Sequence, residues 1–251
     1  MSHVLIIGCG DIGRRVAQLC QQQGQKVSAL CHRPAGREQL QALGITPIAG
    51  DLDDSDSLNT LPADHALLYY FAPPPDHGQS DTRVRNFLHA LGEQAPARLV
   101  YISTTAVYGD CQGAWVTEQT PVKLHTDRAR RRRDAEQQLL AFGERRAVPV
   151  VILRVGGIYG PGRLPVDAVR RQRPIVREEE APYSNRIHAD DLAQVCLAAM
   201  GRGRAGSIYN AVDGEQSTMS RYFKAWRSGW AYRRRRKSPG RRRRPCSARA
   251  C

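Results

Sequence analysis

Along this chain the spacing of apolar residues switches repeatedly between short continuous runs and a helical period. Val4–Ile7 is a run of four apolar residues and reads as a buried strand. Asp11–Gln23 follows as a helix, with Ile12, Val16, Leu19 and Cys20 on one face. Lys26–Leu30 is a second strand, Glu38–Leu43 a short helix, and Thr46–Ile48 a third strand before the turn Gly50-Asp51. Ala66–Phe71 reads as a fourth strand, stopped by Pro73-Pro74-Pro75, and Thr82–Leu91 as a helix. Arg98–Ser103 is a fifth strand. Beyond a loop through Trp115, a long helix is expected over Thr126–Phe142 and a sixth strand over Val148–Arg154. Asp190–Met200 is a further helix and Ser207–Asn210 a last short strand. This alternation predicts an α/β fold, a doubly wound parallel sheet with both faces covered. Ligands of such sheets bind at the carboxyl ends of the strands.

The first strand-to-helix turn is Gly8-Cys9-Gly10-Asp11-Ile12-Gly13, a G-x-G-x-x-G sequence. The first glycine permits a tight turn, the second lets backbone approach a pyrophosphate, and the third lets helix and strand pack closely. The helix N-terminus adds partial positive charge. Position between four apolar residues and an amphipathic helix is the context that turns a weak motif into a dinucleotide-binding expectation on a Rossmann sheet. The second strand ends at Cys31-His32-Arg33 without an acid to hold a ribose 2′-hydroxyl. Arg33 could neutralise a 2′-phosphate, so NADP is favoured over NAD. The alternative for Arg33 is a solvent-facing loop residue.

The 251 residues are 41% hydrophobic, enough for a core, and no apolar stretch approaches the roughly 18 residues of a membrane span. Met1-Ser2-His3 runs directly into the first strand, so no signal peptide is expected. Seven cysteines, an odd number with no C-x-x-C pair, favour reduced thiols, a cytoplasmic setting and no metal site. The formal charge of +14 invites a nucleic-acid reading, but its location argues otherwise. Residues 221–251 hold eleven Arg, two Lys and no acid, whereas residues 1–220 carry 25 bases against 24 acids. Ser217–Ala225 looks like a helix start, and beyond Trp226 no apolar periodicity remains. Residues 227–251 therefore read as a basic, disordered tail, either a nucleic-acid-binding extension or the product of a shifted reading frame. With G+C-rich codons, shifting the frame at Ala225 restores an amphipathic helix. The expected organisation is a Rossmann domain over 1–155, the last sheet elements and a reduced substrate region over 156–226, and the tail.

Several ordered motifs over roughly residues 3–226 resemble the extended short-chain dehydrogenases, the NAD-dependent epimerase/dehydratase family. They include Gly50-Asp51-Leu52, Ala72-Pro73, Ile102-Ser103-Thr104-Thr105-Ala106-Val107-Tyr108-Gly109, Arg154-Val155-Gly156-Gly157-Ile158-Tyr159-Gly160-Pro161-Gly162 and Arg186-Ile187-His188-Ala189-Asp190-Asp191-Leu192-Ala193. The glycine turn and the end of the second strand put Gly8, Gly10, Asp11, Ile12, Gly13 and Arg33 beside a bound dinucleotide, and the resemblance adds Asp51, Leu52 and Ala72. The resemblance also implies a Tyr and a Lys four residues apart on the helix after the fifth strand, which exchange a proton while hydride moves. Aligned on Glu136, those two positions hold Arg128 and Arg132, and no tyrosine lies between Tyr108 and Tyr159. Arginine stays protonated, so neither can be a general base. Thr105 and Ala106 stand where the family's dehydratases carry an acidic pair, which argues against sugar dehydration.

The resemblance places Thr104 where a Ser or Thr hydrogen-bonds the substrate oxygen. Tyr108 and Tyr159 leave the fifth and sixth strands near the crevice, and either could replace the missing acid, with Arg132 lowering its pKa by charge. Both phenols could equally just line the pocket. Arg128 and Arg132 share a helix face, which suits an anionic small-molecule substrate or a cofactor phosphate, or a solvated basic helix. Asp190 is expected to cap the late helix, with His188 a loop or pocket residue. The chain thus reads as an NAD(P)-dependent oxidoreductase or epimerase-like enzyme of altered active site. The rival is a non-catalytic NAD(P)-binding or redox-sensing protein. Self-association into a homodimer stays open.

Overall fold

The computed structural model describes residues 3–163, 171, 174–215 and 217–237. It divides into two compact units, Met1–Leu164 with Ser184–Gln216, and Pro165–Tyr183 with Ser217–Cys251.

The first unit holds a seven-stranded sheet, every pairing of which is parallel. Strands β1 (His3–Ile7), β2 (Lys26–Cys31), β3 (Thr46–Ala49), β4 (Leu67–Tyr70), β5 (Arg98–Thr104), β6 (Val150–Val155) and β10 (Ile208–Ala211) lie in the order β10-β6-β5-β4-β1-β2-β3. The chain reverses its direction of travel between β1 and β4, so their carboxyl ends open a crevice. Helices α1 (Asp11–Gln22), α2 (Pro34–Ala42), α3 (Thr82–Ala90), α4 (Asp127–Arg146) and α5 (Ala189–Arg202) flank the sheet. A short parallel pair, β7 (Gly157–Tyr159) with β9 (Arg186–His188), adds to the crevice side and sets Tyr159 opposite His188.

Strand β1 shows why the sheet is covered twice. Val4 and Ile6 join one apolar cluster with Val16, Cys20 and Cys196, and Leu5 and Ile7 join another with Phe87, Leu139 and Phe142. Alternate side chains leave a strand on opposite faces, so an unbroken apolar run needs helices on both.

The second unit includes a short 3₁₀ turn at Glu178–Glu180, strand β11 (Ser217–Thr218) and helix α6 (Met219–Lys237), and the division between the units falls in sequence within β8 (Tyr183–Ser184). Ser220 Oγ donates to Val176 O at 2.6 Å, and Lys224 Nζ lies 2.7 Å from Glu178 Oε2. Helix α6 continues past the break expected at Trp226 as far as Lys237. Ala, Arg and Lys are strong helix formers, and a helix already nucleated propagates through them without apolar periodicity. Arg241–Arg244, Cys246 and Cys251 lie outside the described residues. Among the described residues no helix is long and apolar enough to cross a membrane.

Candidate functional site: the crevice at the strand ends

The glycine turn sits at the mouth of the crevice, and its three glycines differ. Gly8 has φ +95°, and a Cβ there would lie 2.4 Å from the Ala72 backbone nitrogen. Strand β4 leaves the sheet against it, with Ala72 N donating to Ile7 O at 3.0 Å. A Cβ on Gly13 would meet Gly8 O at 2.9 Å, so α1 and the turn touch through it. The chain's own packing therefore requires both. Gly10 is different: its φ is an ordinary −78°, and a Cβ would meet nothing within 4 Å. It is also the N-cap of α1 and supplies no side-chain hydrogen bond to the first-turn N–H groups. A glycine that the protein does not need, facing open space above uncapped donors, fits a diphosphate approaching backbone.

Asp11 and Ile12 occupy the first turn. Ile12 is buried, while the Asp11 carboxylate is taken by Arg15 at 3.0 Å and by Arg163. At the end of β2, Arg33 and His32 are exposed and hydrogen-bonded together at 3.0 Å. Arg37 lies one helical turn on, and its buried Nε has no hydrogen-bond partner. Neither Arg33 nor Arg37 has a carboxylate partner among the described residues. Asp51 is half-buried, its N–H donating to Ser57 Oγ at 2.8 Å; Leu52 is buried beside it, and its carbonyl accepts from Asn86.

The fifth and sixth strands carry the polar groups. Thr104 Oγ1 accepts from Ala106 N at 3.2 Å, which starts a 3₁₀ turn over Thr105–Tyr108 and leaves the hydroxyl proton to donate. Tyr108 is buried. Its oxygen accepts from Arg154 Nη1 at 3.0 Å, its proton goes to Asn210 Oδ1 at 2.8 Å, and the guanidinium lies 4.9 Å from its ring centre. Arg154 also holds Glu136 through Nε and Nη2 at 3.1 and 2.8 Å, and Ser103 Oγ donates to Glu136 at 2.6 Å. Every hydrogen bond the Tyr108 hydroxyl needs is thus internal, and it acts as a positioning residue between β5, β6 and β10.

Arg132 donates to Tyr101 Oη and to Ile102 O, both at 3.0 Å. The phenol it serves is therefore Tyr101, not Tyr108 or Tyr159 as the sequence suggested. Burial pushes Tyr101 up to about 12, with the Arg132 charge pulling the other way. Arg128, on the same helix, is exposed. Tyr159 is half-buried at the crevice, its ring edge-on to His188 with centres 5.3 Å apart. His188, rather than Asp190, is the N-cap of α5, its Nδ1 accepting from Asp190 N at 3.3 Å. The helix begins one residue earlier than expected, which leaves Asp190 in the first turn to pair with Arg15.

The profile of the NAD dependent epimerase/dehydratase family matches residues 4–211. The chain belongs to that family. It is 28% identical over 219 residues to Protein YeeZ of Escherichia coli K12, spanning 84% of this chain and 77% of that protein. A ketoreductase of Stigmatella aurantiaca, acting on a 4-hydroxy-2-methyl-3-oxo-4-farnesyl-3,4-dihydroquinoline-1-oxide, is 25% identical over 82% of this chain and 66% of its own length. Among solved structures, a functionally unknown conserved protein from Silicibacter pomeroyi shares 30% identity with a TM-score of 0.72, over 87% of this chain and 75% of that one. The UDP-glucose 4-epimerase of Thermus thermophilus, solved with NAD, shares the fold at 21% identity and TM-score 0.74, over 92% and 83%.

Arg154, Glu136, Tyr101, Arg37 and Arg163 were not singled out as site residues from sequence. Arg154 alone carried a signal: a charge inside an otherwise apolar strand needs a buried partner.

Proposed function

We propose that this chain binds NADP(H), and NAD(H) less tightly, and moves hydride between the nicotinamide and an oxygen-bearing carbon of a small molecule. The observation that carries this reading is Gly10, whose missing side chain faces open space at an uncapped helix start. The first-turn N–H groups of α1 hold the diphosphate, and Ala72 and Leu52 line the adenosine side. Arg33 and Arg37 meet the 2′-phosphate through paired guanidinium donors. When bound, the nicotinamide supplies or accepts the hydride.

In this reading the family's Tyr-Lys pair is replaced. Thr104 donates to the reacting oxygen, and Tyr159, at the carboxyl end of β7, exchanges the proton. Tyr108 and Arg132 hold the strand ends in place from behind. The commitment of those two groups to internal partners favours a second reading, a non-catalytic dinucleotide-binding protein. Oxidation of bound NADPH by a panel of carbonyl compounds separates the two.

Calorimetric titration with NADPH and NADH tests binding. Wild type is expected to take NADPH more tightly. Gly10→Asp should weaken both by more than about tenfold, which is about 1.4 kcal/mol, with an unchanged melting temperature because a side chain there meets no neighbour. Arg33→Ala should reduce the preference for NADPH alone. A folded wild type that binds neither coenzyme ends the proposal.

A further inference from the structure

Four charged side chains from three distant stretches border the glycine turn. Asp11, the first residue of α1, pairs with Arg15 at 3.0 Å and with Arg163, and Arg15 pairs in turn with Asp190 at the start of α5. Arg163 reaches the turn from beyond Gly160-Pro161-Gly162, where its own N–H donates to Gly160 O at 3.1 Å. Its side chain is 33% exposed and that of Asp11 36%. Gly160 is held against His188, since a Cβ there would lie 2.9 Å from Nε2, so the base of this excursion is fixed by packing.

The charges change meaning once a diphosphate is considered. A carboxylate at the first position of a helix suits the helix's partial positive charge when nothing else is bound. A dinucleotide's diphosphate, laid on the same N–H groups, meets that carboxylate as a like charge. Arg15 is already shared with Asp190, whereas Arg163, among the described residues, pairs with Asp11 alone. An exposed ion pair holds a side chain weakly. A guanidinium, by contrast, forms paired, charge-assisted bonds to phosphate oxygens.

We propose that Arg163 is a diphosphate-binding residue, which exchanges the Asp11 carboxylate for phosphate oxygens when a dinucleotide enters. The inference rests on the dinucleotide reading above and adds a residue from outside the glycine turn. In the ligand-free protein Asp11 keeps the guanidinium beside the cradle. Burial opposes ionisation of Asp11, but hydrogen bonds and charge from Arg163 and Arg15 outweigh it and hold the carboxyl below its ordinary range. The pair is therefore intact at neutral pH. On binding, the two arginines left around Asp11 and the phosphates keep the like charges apart.

The test is calorimetric titration of the full chain with NADPH, NADH and ADP-ribose, for wild type, Arg163→Ala, Arg163→Lys and Asp11→Asn. Arg163→Ala should weaken all three ligands about tenfold in dilute buffer, with Arg163→Lys between it and wild type. In about 1 M salt, where screening acts within ~3 Å, wild type and Arg163→Ala should converge. Asp11→Asn should bind at least as tightly as wild type, because the competing carboxylate charge is gone. Equal affinities of wild type and Arg163→Ala in dilute buffer overturn the inference, and so does a loss that high salt leaves untouched. If wild type binds none of the ligands, the dinucleotide reading itself fails.

Discussion

Arg154 occupies the next-to-last position of an apolar strand with 2% of its surface exposed, and its partner Glu136 on α4 has none exposed. Burying two charges is costly, and the geometry here offsets that cost with two Arg154 donors, Ser103 and Arg133 all aimed at one carboxylate. Burial works against the ionised form of Glu136, but the hydrogen bonds from Arg154 and Ser103 and the Arg154 charge outweigh it and hold the pKa below the ordinary value. Because the folded pKa lies below the unfolded one of about 4.5, the ion contributes stability above that pH. The contribution is lost as pH falls through the folded pKa. Glu136→Gln should therefore cost about 3–5 kcal/mol at pH 7, since it strands the Arg154 charge. It should also flatten the decline of melting temperature between about pH 5 and pH 3. Parallel melting profiles for variant and wild type would show that Glu136 is not the group responsible. A charge within a strand signals that a partner exists, but the identity of that partner depends on contact across 18 residues of sequence. Glu136 itself lies among arginines on a helix, where nothing in the sequence pattern marks it as that partner.

Helices and strands were largely legible because each apolar run had one way to be covered. The exceptions have physical causes. Helix α2 begins at Pro34 rather than Glu38, since proline at the first helical position supplies a preset φ that apolar periodicity does not register. Helix α4 extends beyond Phe142 to Arg146 and ends with Ala147 in a left-handed conformation, again without an apolar marker. The basic face of α4 misled more seriously. Arg131 and Arg132 turn inward to Gly78 O, Tyr101 and Ile102, and side-chain reach of that kind is invisible in a one-dimensional pattern. On the opposite face of the sheet, α1 and α5 close over Cys20 and Cys196 with Tyr69 beneath, all but removed from solvent. Burial pushes the Cys20 thiol up to about 11, against a hydrogen bond with Tyr69, and burial raises Cys196 further. Thiolate is the reactive form, so neither should react while the layer stays closed. Maleimide labelling followed by peptide mapping should show half-exposed Cys111 modified in the folded protein, and Cys20 and Cys196 only after denaturation. Labelling of Cys196 under native conditions would mean that α1 and α5 separate readily.

Charge is distributed unevenly over the whole chain, and the two units are expected to respond to it differently. Residues 1–220 are close to neutral, while residues 221–251 hold thirteen basic residues and no acid. Polyanion affinity should follow the second group alone, because a long-range field of one sign is built only where opposite charges are missing. The groups assigned to dinucleotide binding (the glycine turn, Arg33, Arg37, Ala72 and Arg163) all belong to the first unit. At physiological salt the field of exposed charges fades over about 8 Å, so a basic residue farther than that from a bound dinucleotide adds little to its affinity. Removal of residues 238–251, which include Arg241–Arg244 and Arg249, should sharply lower the salt needed to elute the protein from heparin. The same truncation should leave the NADPH dissociation constant within about twofold of wild type, well under the tenfold that 1.4 kcal/mol represents. If NADPH affinity falls with the truncation and returns when salt is lowered, the terminal basic residues belong to the binding site. The glycine turn would then no longer account for phosphate recognition without them.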